Sequence, residues 1–312
     1  MKIVILGYSG SIGTSLLKYL LKYNSFDLVC VGRDVKKYNI NSVKLKYIKW
    51  DFNSFTKSSL HFLEDANIIV NCIGKTSNSA DDIDKINLFF VKKIIRYLDN
   101  LNIKIRFIHL SSVSVYGSYV NALGRKRDFK ENAKLKFYDN YSKTKSKSEL
   151  FIKNQIKKKE NRNLSYTILR ISNVFGNKKS NLYKYILLSL KYNFWIKSSN
   201  DVLFNFINEK DVAQAIYLVI LNPDISRNKT YNVTDDCKQI DFYKGHQKML
   251  KKKIIQIQLP IYIIKFLVYL LPLPKKILNF FFTISSKVTY NNNRITKDLN
   301  FKPKYSFIKK IK

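Results

Sequence analysis

Tyr141 and Lys145, in the stretch DNYSKTKSKSEL (residues 139–150), are the side chains best suited to do chemistry together. A phenol with an ordinary pKa of about 10 becomes useful near neutrality only where a nearby cation favours its phenolate. Residues four apart on a helix share a face, so the spacing brings the two groups together. The same spacing also arises by chance on a solvated, lysine-rich helix face, and the pair alone leaves both readings open. Metal chemistry has less support. Cys30, Cys72 and Cys237 are far apart, no CxxC spacing occurs and there are three histidines, so neither a zinc site nor a disulfide framework is expected.

The elements that would hold such a pair are legible as alternating patterns. The runs 2–7, 27–32, 43–48, 66–74, 103–112 and 164–170 are β-branched and apolar, as in strands buried on both faces. Between several of them, 13–23 and 83–100 repeat apolar residues at helical spacing. This alternation predicts an α/β fold, a Rossmann-type doubly wound parallel sheet wrapped by helices on both faces. The rhythm becomes irregular after residue 174. The expected division is a dinucleotide-binding domain over 1–173 and a smaller C-terminal α/β substrate lobe over 174–312, with about 203–235 returning to the first domain.

With 312 residues, 46% of them hydrophobic, the chain can bury a substantial core. Its formal charge of +35 has two readings. A basic surface attracts nucleic acid or anionic membranes. Only nine of the 57 basic residues are arginine, however, and the lysines are scattered with abundant Asn, Ile, Tyr and Phe. That distribution fits the amino-acid bias of an AT-rich genome, and no nucleic-acid-binding motif is visible, so no specific nucleic-acid partner is expected. The opening MKIVILG enters a strand at once and does not read as a signal peptide, which favours the cytoplasm.

GYSGSIG follows the first strand and precedes a helix. Gly7 suits the tight turn, Gly10 permits close backbone approach and Gly13 permits helix–strand contact, leaving amides aimed at a pyrophosphate. This GxxGxxG form resembles the short-chain dehydrogenase/reductase superfamily, especially its extended, UDP-glucose 4-epimerase-like members acting on nucleotide sugars. The resemblance runs from residue 2 to about 303. It implies cofactor contacts from Gly7, Gly10, Ser11, Ile12 and Gly13, an adenine contact from Asp51 in KWDF, and a cofactor-facing Gly74 in VNCIG. It implies active-site support from Asn87 in KINLFF. HLSSVSVYG resembles the family's Ser-Ser-x-x-Val-Tyr-Gly segment and puts the catalytic hydroxyl on Ser112, with Ser111 second. Tyr141 and Lys145 complete its YxxxK motif as acid–base and supporting cation, both also touching the cofactor. LRISNVFG implies substrate contact from Asn173 as well as Ser112, and the family pattern implies a homodimer.

Two departures bear on the reaction. Phe204 stands where many relatives have an arginine for the substrate phosphate, and the SSVSV segment lacks the carboxylate typical of 4,6-dehydratases. Gly32 falls where NAD-specific relatives have an acidic residue, and Arg33 follows it, able to meet a 2′-phosphate. Asp34 is the competing feature, since a small shift in the turn would return a carboxylate to the ribose. NADP(H) is therefore favoured over NAD(H). The expected activity is reduction of a 4-keto sugar nucleotide; the alternatives are nucleotide-sugar 4-epimerisation and a non-catalytic dinucleotide-binding relative.

The stretch 259–284 is apolar and aromatic, but Lys265, Pro272 and Pro274 interrupt it before the roughly 20 residues a membrane span requires. A pair of helices in the substrate lobe is expected, and lysine-flanked apolar helices of this kind allow a weak peripheral membrane contact.

Overall fold

The computed structural model describes all residues except 24, 34–44, 53–54, 57, 77–78, 102, 118–122, 159–162, 177–190, 252 and 306–312. Seven parallel strands form the central sheet: β1 (Lys2–Leu6), β2 (Asp27–Gly32), β3 (Leu45–Lys49), β4 (Ile68–Asn71), β5 (Ile105–Ser112), β7 (Leu164–Ile171) and β11 (Lys229–Val233). Their order is β11-β7-β5-β4-β1-β2-β3, and every neighbouring pair is parallel. The expected strands are thus present; the start of the 43–48 run lies outside the described residues, and β4 is shorter than its apolar run.

Alternation along each strand splits the core into two layers. Ile3 and Ile5 face a cluster that includes Leu16, Leu17 and Leu20 of α1 (Ser11–Leu20) and Val212, Ile216 and Ile220 of α5 (Glu209–Leu221). Val4 and Leu6 face the opposite cluster, completed by two further helices. One begins at α2 (Ala80–Asp84), passes through a π-helical turn (Lys85–Phe89) and continues as α3 (Phe90–Asp99). The other is α4 (Asn140–Lys158), which contributes Ile152 and Ile156. Helices therefore cover both faces.

The chain runs outward from β1 to β2 and β3, then crosses back to β4 and continues to β5, β7 and β11. The β1/β4 boundary is thus the switch point, where open parallel sheets bind ligands beyond the strand ends. Gly7 leaves β1 there, and Cys72–Gly74 leave β4.

The later chain builds a lobe from small sheets. β8 (Asn173–Phe175), β10 (Leu203–Asn208) and β12 (Asp235–Lys238) form one; β9 (Phe194–Lys197) pairs with β13 (Ile255–Gln258), and β6 (Lys126–Phe129) with β14 (Lys287–Tyr290). The helices α6 (Gln239–Leu250), α7 (Ile261–Leu270) and α8 (Lys275–Ser285) belong to this part. After it, α9 (Asn293–Leu299) returns to the main core through Ile295 and Leu299, followed by Phe301.

Candidate active site

Tyr141 is placed by its helix start. Asp139 caps α4, accepting from Ser142 N at 2.9 Å, while Ser142 Oγ accepts from Asp139 N at 3.2 Å. This reciprocal capping satisfies orphan first-turn donors and fixes where the helix begins. Asn140 donates to Ala80 O at 3.1 Å, docking the same turn on α2. From there Lys145 and Glu149 follow at four-residue steps on the buried side, whereas Lys143 and Lys147 are exposed.

Ser112, at the end of β5, lies beside Tyr141 and acts on its phenol. It also caps the following 3₁₀ turn (Val113–Tyr116), accepting from Ser114 N at 3.2 Å. Ser111 points to the other face and donates to Glu149 Oε1 at 2.5 Å, fully enclosed, so alternation along β5 separates the two serines. Lys145 is buried and donates to Leu110 O at 2.9 Å.

Burial sets the titration of this pair. It pushes Tyr141 up to about 12, with the Ser112 hydroxyl opposing and Asp139 pushing the same way. It brings Lys145 down to about 8, against the favourable charge of Glu149. The sequence predicts a phenol lowered by Lys145; instead burial raises it, and the opposing pull comes from Ser112. A sign follows for stability. The buried ammonium costs free energy at every pH below about 8, and the cost is relieved as pH rises from there towards the ordinary Lys value of 10.5, because the unfolded chain then holds more protons. Lys145→Met should consequently flatten the rise in thermal stability between about pH 8 and 10. Denaturation midpoints of wild type and variant across that range measure the difference, and identical slopes would contradict it.

The glycine turn has the shape a dinucleotide phosphate needs. Gly7 has φ +79°, open to glycine, and Gly10 is the N-cap of α1. At Gly13 a Cβ would lie 2.4 Å from Gly7 O and 2.6 Å from Tyr8 Cα, so only glycine lets this helix sit so close to the strand. Ser11 and Ile12 occupy the first turn of α1; the Ser11 hydroxyl donates to Glu209, and Ile12 packs on the core. Across the switch point, a Cβ at Gly74 would approach Lys145 Nζ to 3.3 Å. Asn87, fully buried in the π-helical turn, holds the chain beyond it: Lys75 N donates to Oδ1 at 3.0 Å and Nδ2 donates to Lys75 O at 2.8 Å. A cleft of about 270 Å³ lies farther along, lined by Arg33, Asp51, Phe52, Ile73, Lys85 and Phe89 among others. Arg33 and Asp51, taken from different strand ends, thus meet in one cavity; Asp34 lies outside the described residues. The turn, the close approach at Gly74 and this cleft fit a dinucleotide.

On the substrate side, both singled-out positions have partners within the protein. Asn173 uses its amide to donate to Asn205 O at 3.1 Å, tying β8 to β10. Phe204 is buried among Phe175, Phe206, Phe242 and Tyr243, so it fills the lobe's core.

Two polar networks beneath the site carried no sequence signal of their own. Asn71 Nδ2 donates to His109 Nδ1 at 3.3 Å, which leaves Nε2 as the donor to Ser148 Oγ, also at 3.3 Å. Burial and the Lys145 charge hold His109 well below its usual pKa, so it is neutral. In the second network, Arg170 donates to Glu149 from Nε at 3.0 Å and from Nη2 at 2.7 Å, and to Tyr116 Oη at 2.8 Å. Tyr116 passes a 2.7 Å hydrogen bond to Asn232 Oδ1 on β11.

Comparison with known proteins bears on the fold and the family. No curated protein sequence matches the chain significantly. Among solved structures, UDP-glucuronic acid 4-epimerase from Bacillus cereus in complex with NAD superposes with a TM-score of 0.74 at 17% identity, covering 100% of this chain and 94% of that one. The dTDP-glucose 4,6-dehydratase from Bacillus anthracis in complex with NAD gives 0.70 at 16%, covering 100% and 94%. The terminal R domain of the myxalamid PKS-NRPS biosynthetic pathway gives 0.73 at 16%, covering 96% and 84%. At such identities these likenesses establish the fold. The sequence itself matches the family model of the NAD dependent epimerase/dehydratase family over residues 3–234. With the glycine turn at the switch point and the serine, tyrosine and lysine gathered beside it, the chain belongs to the NAD-dependent epimerase/dehydratase family.

Proposed function

We propose that this protein is an NAD(P)-dependent enzyme of nucleotide-sugar metabolism that reduces a 4-keto sugar nucleotide. The observation that carries the reading is Ser112 beside Tyr141, with buried Lys145 one helical turn behind, at the sheet's switch point. When bound, the nicotinamide supplies the hydride. Tyr141 holds the proton for the sugar oxygen, and its hydroxyl is protonated at neutral pH, as a reductase acid must be. Ser112 steadies the same oxygen. Lys145 supplies positive charge beneath the site, and Asn173 contacts the sugar or its diphosphate. Because Phe204 is enclosed, the diphosphate is met by groups other than residue 204.

Arg33 supports NADP(H). It is exposed, shares the cleft with Asp51 and follows Gly32, which offers no carboxylate. A charge-assisted contact to a 2′-phosphate contributes about 1.5–3 kcal/mol, so Arg33→Ala should lower kcat/KM for NADPH by about 10- to 100-fold and leave NADH nearly unchanged. Wild-type preference for NADH, or an unchanged NADPH preference in the variant, would remove Arg33 as the selector.

A second reading, 4-epimerisation with NAD, is favoured by the similarity to the Bacillus cereus 4-epimerase bound to NAD. The two separate in one experiment: incubation with UDP-, GDP- and dTDP-sugars and their 4-keto derivatives, with NADH or NADPH, followed by product mass and NMR. Reduction consumes added cofactor stoichiometrically and adds two hydrogens to the sugar. Epimerisation by protein carrying co-purified NAD, without added cofactor and without mass change, would overturn the reductase reading.

A further inference from the structure

The helix α7 is apolar on both its buried and its exposed side, with Lys265 its one charged residue. Ile264 is fully buried and, with Phe281, Phe282 and Ile284 of α8, packs into the lobe's own small core. The opposite side carries Tyr262, Phe266, Tyr269 and Leu270, exposed at 70%, 59%, 63% and 65%. At 100° per residue these four fall within an arc of about 100°. Lys265 lies on its rim, and Leu271 and Ile277 extend the exposed apolar surface past the Pro272–Pro274 turn. Large aromatic side chains gathered on one exposed face mark an interaction surface.

Charge identifies its partner. Between Asp241 and Asp298 the chain contains no acidic residue, so all 22 of its Asp and Glu lie elsewhere, while this stretch holds ten lysines and Arg294. A uniform compositional bias would have scattered acids here as it does in the rest of the chain. An apolar arc rich in tyrosine and phenylalanine, set in a locally acid-free and lysine-rich segment, matches the interface of an anionic bilayer: rings at the headgroup level, lysine stems along the apolar boundary and ammonium groups among the phosphates. The helix has ten residues and is about 15 Å long, half the hydrocarbon thickness, and among the described residues no helix is long and apolar enough to cross a membrane. We infer that α7 and the turn into α8 dock the substrate lobe reversibly on the surface of a membrane rich in anionic lipid, lying in the interface.

Vesicle co-sedimentation tests this with the full chain. The probes are phosphatidylcholine vesicles with and without about 30% phosphatidylglycerol at low and high salt, and the proteins are wild type, Tyr262→Ser/Phe266→Ser and Lys265→Glu. Both substituted aromatics are exposed, so the variants should keep wild-type circular dichroism and melting. Wild type should pellet with the anionic vesicles at low salt and be released at high salt. The double variant should bind about tenfold or more weakly, and Lys265→Glu should also bind less. The inference is overturned if wild type ignores anionic vesicles. It is equally overturned if the double variant binds as well as wild type, since scattered lysines would then suffice. Sedimentation velocity without lipid adds a third outcome: a concentration-dependent dimer abolished by the double variant would assign the face to a second copy of the chain instead.

Discussion

Tyr141→Phe should lose about 10²- to 10⁴-fold in kcat, the range that a positioned general acid contributes, while folding and binding cofactor as wild type does. The substitution removes one oxygen and keeps the ring. It leaves no enclosed polar group stranded, because Ser112 Oγ still accepts from Ser114 N, and the capping exchange between Asp139 and Ser142 does not involve the hydroxyl. Stability should therefore change by less than about 1 kcal/mol. Steady-state turnover with the sugar nucleotide that serves as substrate, beside a dinucleotide-binding isotherm and a melting curve, separates the three effects. Near-normal turnover in a folded variant would remove Tyr141 from the chemistry. If dinucleotide binding falls in parallel with turnover, the residue acts in assembling the site instead of in proton transfer.

The second large effect is on stability. Glu149 is wholly enclosed and takes hydrogen bonds from Ser111 and Arg170, with Lys153 at 3.7 Å. Arg170 is 1% exposed and is held strongly in its charged form by Glu149 and Tyr116 against the effect of burial. Removing one partner of such a pair leaves an uncompensated buried charge at a cost of about 3–5 kcal/mol. Glu149→Ala should thus lower Tm by on the order of 10 °C. Arg170→Met in the Glu149→Met background should recover part of that loss, since no uncompensated charge is then buried; the remainder is the enclosed Ser111 hydroxyl, which loses its acceptor, and the Glu131 carbonyl, which loses its donor. A single Glu149→Ala change that costs less than about 1 kcal/mol would show that water reaches the guanidinium.

The sheet was legible because strands buried on both faces read as unbroken apolar runs, and Lys2–Leu6, Asp27–Gly32 and Ile105–Ser112 each fill most of such a run. The glycine turn was legible because sterics leave little choice at Gly7 and Gly13. The choice between Ser111 and Ser112 was one the alternation of a strand could make once the strand's orientation was known. The deeper polar network was not legible. In isolation Glu149 and Arg170 look like two of the chain's many surface charges, and only the fold, which pairs β5 with β7 and lays α4 across them, encloses both. The small sheets of the lobe were hidden for another reason. β6 (KRDF) is polar and exposed, and its partner β14 lies 161 residues away, so no local pattern announces the pairing.

The position of α5 has a consequence for how the chain is made. Leu16, Leu17 and Leu20 of α1 are covered by Val212, Ile216 and Ile220, which are synthesised nearly two hundred residues later. At a ribosomal rate of about 5–20 residues per second, that apolar face of the growing chain waits about 10–40 s for its cover. The edge strand β11, which closes the sheet beside β7, arrives later still. Through that interval the nascent chain displays the greasy side of a finished helix and an open strand edge together, so a holding chaperone acting during translation would govern its yield more than the stability of the finished protein does.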